Sequence, residues 1–214
     1  CSEYSGLGAK FTKGRAVINI AQNLPTQECI DANMESLANY AKIAQKHGMV
    51  PIVEPEVLIN GDHSIEDCYE ATSRSIKSLF DYLSTYNVNI SGTILKPNMV
   101  TPGTDHINEA NVEEVAQATI KCLNENVPAE LPGITFLSGG QTEIESTQHL
   151  DMMNKIGDFP WKLSFSYGRA LQASALSAWL GKKENISAAQ GAFSHRAKMN
   201  KLASLGKWSE SLEE

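Results

Sequence analysis

The pattern of KFTKGRAVINI (10–20) reads as an alternating, extended segment, with Phe11, Lys13, Arg15 and Val17 sharing one face. Four short apolar runs predict further strands: MVPIVEPEV (49–57), SGTILKPNM (91–99), GITFLSGG (133–140) and KLSFSYGR (162–169). Between them the apolar period changes to that of a helix. Residues 26–46 carry a stripe of Met34, Leu37, Ala38, Ala41 and Ala44, and Gly48 fits the cap that ends it. Ser64 with Asp67, Asn111 with Glu114 and Thr142 with Glu145 each place an acid three residues after a capping side chain. That spacing predicts three more helix starts. Two further helices are predicted over 169–180 and 184–204.

Strands alternating with helices predict an α/β fold with parallel strands and helical crossovers. A doubly wound sheet and a (β/α)8 TIM barrel both have this order. No G-x-G-x-x-G opens a helix after any strand, which argues against a dinucleotide fold. Polar residues at several strand ends favour the barrel. A complete barrel needs eight strands and typically about 250 residues, so five strands predict an incomplete one. The sequence also opens on Cys1 rather than methionine, and further strands are expected upstream. No linker, low-complexity stretch or repeat divides the chain, so residues 1–214 are expected to form one domain.

Composition narrows the function classes. An apolar fraction of 42% with 20% charged residues is that of a folded chain with a core. A net charge of −7 lacks the basic footprint of a nucleic-acid binder. No run is long enough to cross a bilayer, and no signal-peptide pattern opens the chain. Cys1, Cys29, Cys68 and Cys122 are scattered, which predicts reduced thiols and a cytoplasmic location.

The chemistry gathers at the strand ends. Lys96 shares strand parity with Ile94, and Pro97 stops the strand just beyond it. Glu54 and Glu56 flank Pro55 in the same way, while Lys13 and Arg15 share a face of the first strand. Each has an ordinary alternative: a lysine reaching for water, loop carboxylates, a solvated basic edge. In a parallel barrel, however, all these ends lie on one rim, where catalytic groups stand. The last two strands run into Ser138-Gly139-Gly140 and Ser166-Tyr167-Gly168-Arg169, each opening a helix. Glycines and free N–H groups at helix starts suit phosphate, and Arg169 adds a charged donor. An amine beside carboxylates and a phosphate cradle points to Schiff-base chemistry, in which a neutral lysine attacks a ketone and a carboxylate moves the protons. The five histidines lack ligand spacing, so no metal cofactor is expected.

PIVEPEV, LKPNMVTPG, ITFLSGGQ and LSFSYGRALQASAL, together with FTKGRAV, resemble class I fructose-1,6-bisphosphate aldolases. The resemblance runs over residues 4–207. It implies barrel strands four to eight, a homotetramer, a phosphorylated sugar substrate and no cofactor beyond the covalent lysine. It implies Lys96 as the Schiff-base lysine, Glu54 as proton shuttle and Glu56 as its carboxylate neighbour. Lys13 would contact substrate and reacting groups, and Arg15 the 6-phosphate side. Ser138, Gly139, Gly168 and Arg169 would bind the phosphate of the dihydroxyacetone half. The implied reaction, in glycolysis and gluconeogenesis, is reversible cleavage between carbons 3 and 4 to dihydroxyacetone phosphate and glyceraldehyde 3-phosphate. An aspartate and a lysine on the family's first three strands, and a terminal tyrosine on its tail, have no counterpart in these residues. Activity is therefore expected of the complete barrel. Gly14 also departs from the family, where many members carry tryptophan. Another class I Schiff-base lyase, such as a transaldolase, or a non-catalytic protein-binding role are the alternatives.

Overall fold

The computed structural model describes residues 1–213. Five strands, β1 (Phe11–Ile18), β2 (Val50–Val57), β3 (Ile94–Leu95), β4 (Gly133–Phe136) and β5 (Lys162–Phe165), form one sheet. Their spatial order is their chain order, and every neighbouring pair is parallel. A doubly wound sheet reverses its order at a switch point; this one never does. The strands form an arc of a barrel, joined by helical crossovers. These are α2 (Gln27–Lys46), α3 (Ile65–Thr85), α4 (Val112–Asn126) and α5 (Glu143–Ile156), with α6 (Arg169–Trp179) and α7 (Ile186–Ala203) after β5. A five-residue helix, α1 (Ser2–Gly6), precedes β1; it buries nothing, and so left no apolar stripe to read.

The predicted caps are present. Ser64, Asn111 and Thr142 each accept from the backbone three residues on, and Asp67, Glu114 and Glu145 reach back to close a capping box. The α2 stripe is buried as its spacing predicts, with Ile30 added. Gly48 follows the helix at φ +71, where a side chain would be strained.

Strand parity sorts the sheet into two faces. Ala16, Ile18, Val53, Leu95, Ile134 and Phe136 are buried under the helices. Lys13 and Arg15 lie on the opposite, concave face and are exposed. Gly14 faces α2, where a Cβ would stand 2.6 Å from the Tyr40 ring. The tyrosine from the helix fills the space a side chain at position 14 would need.

Three strands are shorter than their apolar runs predict. Residues Ile90–Gly92 form a 3-10 turn, and β3 keeps only two ladder residues. Beyond them single bonds carry the pairing on: Lys96 N–H donates to Val53 (2.8 Å) and Leu137 N–H to Pro97 (3.1 Å). Proline has no N–H to return, so the regular ladder stops there while the strand ends stay together. At the rim, the loops after β2 and β3 are zipped by Gly103 N–H to His63 (2.8 Å) and Asp105 N–H to Gly61 (2.8 Å). A Cβ on Gly103 would meet the Gly61 carbonyl oxygen at 2.2 Å, a backbone approach only glycine permits.

Candidate active site

The site forms where β1, β2 and β3 end. Pairing Arg15 with Glu54 and Ile52 with Ile94 puts the lysine after β3 beside the glutamate of β2. Lys96 Nζ lies 3.0 Å from Glu54 Oε1, and both side chains are nearly sealed from water. The other oxygen of Glu54 accepts from Lys13 Nζ. One carboxylate thus bridges two ammonium groups, one buried and one 41% exposed toward the concave face. Lys13 reaches Lys96 through this carboxylate. Beside it, Arg15 Nε donates to Glu56, which is buried while the guanidinium stays half exposed. Pro55 keeps the two glutamates in strand conformation on one face, as the sequence predicted.

A buried carboxylate is tolerable only when its oxygens are matched, and here both are. The rim is fixed by a residue the sequence reading missed. Asn98 accepts from the Val57 N–H (3.0 Å) and donates to Thr72 of α3 and to the Met99 carbonyl (both 3.0 Å). It ties the end of β2 to the segment after β3. Only its position two residues beyond Lys96 could have signalled it.

The second half of the site follows β4 and β5. Leu137 bonds the Pro97 carbonyl, so Ser138 begins one residue beyond a direct link to the Lys96 segment. Gly139 and Gly140 both have positive φ, +57 and +97, which turns the chain sharply before α5. The second loop has Gly168 at the N-cap of α6 with no side chain over the helix end, so the first N–H groups remain available. Arg169 opens that helix, and its Nη2 comes within 4.0 Å of where a Cβ on Gly140 would stand. The two glycine loops are therefore neighbours. Tyr167, between Ser166 and Gly168, anchors the second loop by donating to the Ser146 carbonyl of α5 (2.8 Å), and burial pushes its phenol up. Glu143 at the start of α5 accepts from the Ser174 hydroxyl of α6 (2.5 Å). Neither contact carries a sequence signal, because each joins elements distant in the chain.

Lys13, Glu54 and Lys96 form one bonded cluster, Arg15 and Glu56 flank it, and Ser138, Gly139, Gly168 and Arg169 line the adjoining loops. Among the described residues no cluster of three or more His, Cys, Asp and Glu side chains is placed to hold a metal ion. No helix among them is long and apolar enough to cross a membrane.

A family model described as fructose-bisphosphate aldolase class-I matches residues 1–214. A probable fructose-bisphosphate aldolase class 1 of Xylella fastidiosa is 53% identical over 207 residues, 96% of this chain and 62% of that relative. The cytosolic fructose-bisphosphate aldolase 4 of Arabidopsis thaliana is 49% identical over 96% of this chain and 53% of its own length. The chain thus spans about three fifths of the length of the curated relatives it matches. Among solved structures, the Plasmodium falciparum aldolase in complex with TRAP and an inhibitor superposes with a TM-score of 0.96 at 44% identity. That match covers 98% of this chain and 61% of the other. An aldolase-type α/β arc, a buried lysine at a strand end and a family match over the whole length agree: the chain belongs to the class-I fructose-bisphosphate aldolase family.

Proposed function

We propose that this chain is a single domain forming the C-terminal portion of a (β/α)8 aldolase barrel, and that the complete barrel cleaves fructose 1,6-bisphosphate reversibly through a Schiff base on Lys96. The observation that carries the reading is Lys96 Nζ, buried at the end of β3 and 3.0 Å from Glu54. The amine adds to the C2 ketone. Glu54, a carboxylate at rest, takes the proton that Lys96 sheds on attack and then gives it to the departing hydroxyl so that water leaves, with Lys13 on its other oxygen to balance the charge. With the iminium formed, Glu54, ionised again, takes the C4 hydroxyl proton and the C3–C4 bond breaks. Its electron pair enters the iminium to give an enamine, and glyceraldehyde 3-phosphate leaves. Protonation at C3 and hydrolysis then release dihydroxyacetone phosphate and free Lys96.

Arg15, held by Glu56, serves the 6-phosphate side. Ser138, Gly139, Gly168 and Arg169 bind the other phosphate through backbone donors and a guanidinium. No metal is needed, since the iminium is the electron sink. The first barrel strands pair with β1, whose Phe11 is 64% exposed at a free sheet edge. In the same reading the protein is a cytoplasmic homotetramer whose partner is a phosphorylated sugar, with neither nucleic acid nor membrane involved. Borohydride added to the full-length protein with dihydroxyacetone phosphate tests the reading. A reduced adduct is expected on the Lys96 peptide; an adduct elsewhere, or none, sinks it.

A further inference from the structure

His149, on α5, is a buried histidine that the aldol chemistry does not use. Desolvation drives its pKa down to about 4, so the ring is neutral near pH 7. Its Nδ1 meets Oε1 of Gln141 at 2.6 Å, and the amide nitrogen of that glutamine donates to the Ser138 carbonyl at 3.0 Å. The backbone N–H of Gln141 donates to the same carbonyl at 2.9 Å. Chemistry fixes the directions. The amide nitrogen faces a carbonyl, so its oxygen faces the ring, and Nδ1 must carry the proton.

One carbonyl therefore receives two bonds from one glutamine, closing a turn whose middle residues are Gly139 and Gly140. Glycines with positive φ have many other conformations open to them, so something must select this one. Packing against Leu137 and Ile59 does part of it. A cavity of about 260 Å³ lies against the loop, lined by Gly140, Gln141 and His149 among others. We propose that His149 is a positioning residue for the phosphate-binding loop, acting through Gln141 on the shape of residues 138–141. The inference rests on the reading of that loop as a phosphate site.

The test uses the full-length protein and two probes in parallel. Inorganic phosphate is titrated by phosphorus NMR, and Lys96 is trapped by borohydride over a range of dihydroxyacetone phosphate. His149→Ala is expected to weaken phosphate roughly fivefold, the worth of about one net hydrogen bond. The concentration for half-maximal trapping rises by the same factor, while trapping at saturation keeps its rate. His149→Asn sets an amide donor where Nδ1 stood and restores the affinity. Gln141→Ala weakens binding at least as much, and adding His149→Ala to it costs nothing further. Unchanged affinity in His149→Ala, no rescue by asparagine, losses that multiply, or a wild-type protein that binds no phosphate would each overturn the proposal. The trapping arm judges the aldolase reading separately. Phosphate binding that depends on His149 without an adduct on Lys96 sinks that reading and keeps this one.

Discussion

On β1 to β3 the site is made of side chains: Lys13, Arg15, Glu54, Glu56 and Lys96 project from strand positions of one parity and neutralise one another by direct contact. After β4 and β5 it is made of backbone, with glycines at φ +57 and +97 and an uncapped helix end, and one charged side chain added. The first half depends on which groups are present. The second depends on how the chain turns. Substitutions that keep the fold should therefore destroy chemistry at Glu54 and Lys96 of the first half and affinity in the second.

The largest effect is expected at Lys96. In the full-length protein Lys96→Met keeps the stem and removes the nucleophile, so cleavage should fall by roughly a thousandfold or more. Phosphate affinity should stay as it was. A variant that still accumulates a borohydride adduct would break the division between the halves. Glu54→Gln should lower cleavage about a hundredfold or more, the usual worth of a positioned acid–base group, with the adduct on Lys96 forming slowly. It also leaves a buried amine without its anion, so a lower thermal midpoint is expected beside the rate loss.

Arg169→Ala reports on the other half. Loss of one charge-assisted contact should weaken phosphate binding about tenfold, with the trapping rate at saturation unchanged. Gly140→Ala should do at least as much without removing any charge. Its φ of +97 strains any side chain, and the new Cβ would press on Ile59 at 3.0 Å. If Arg169→Ala loses affinity and Gly140→Ala does not, the loop's shape is not what binds phosphate.

The same contrast decides what could be read from the sequence. Strand parity and proline placed Lys96, Glu54 and Glu56 on one rim, because alternation is a local property and Pro97 ends a ladder wherever it stands. The capping pairs at Ser64, Asn111 and Thr142 were legible for the same reason. The glycine loops could be located but not shaped. The Gln141–His149 link that closes one of them joins a loop to the second turn of a helix, where periodicity says nothing about polar partners. Asn98 was missed likewise, since its partners come from β2 and α3. The reduction of β3 to two ladder residues was also invisible, because an apolar run shows burial and not hydrogen bonding. Gly14 was noticed as a departure, and only the Tyr40 ring beside it gives the reason.

The smallest effect concerns one buried histidine in each half. His63 sits under the rim loops beside β2 and β3, and His149 under the cradle; burial lowers the pKa of both. For His149 the folded value is about 4 against an ordinary 6.5, so between those values the unfolded chain binds the extra proton and the folded chain does not. Stability therefore rises with pH across that window. The contribution is complete above about pH 6.5 and is lost as pH falls toward 4. At pH 5.5 the loss is about 1 kcal/mol for this one group. Urea titrations of wild type and His149→Asn between pH 7.5 and 4.5 should show the variant less acid-sensitive, by about 1 kcal/mol at pH 5.5 and roughly 2 to 3 kcal/mol at pH 4.5. It should keep the remaining slope, to which His63 contributes in the same direction. Identical slopes in the two proteins would mean that His149 takes up its proton as easily folded as unfolded. The added proton would then sit on Nε2 at no cost to the fold, and because Nδ1–H still donates to Gln141, phosphate binding at pH 5.5 should keep its dependence on His149.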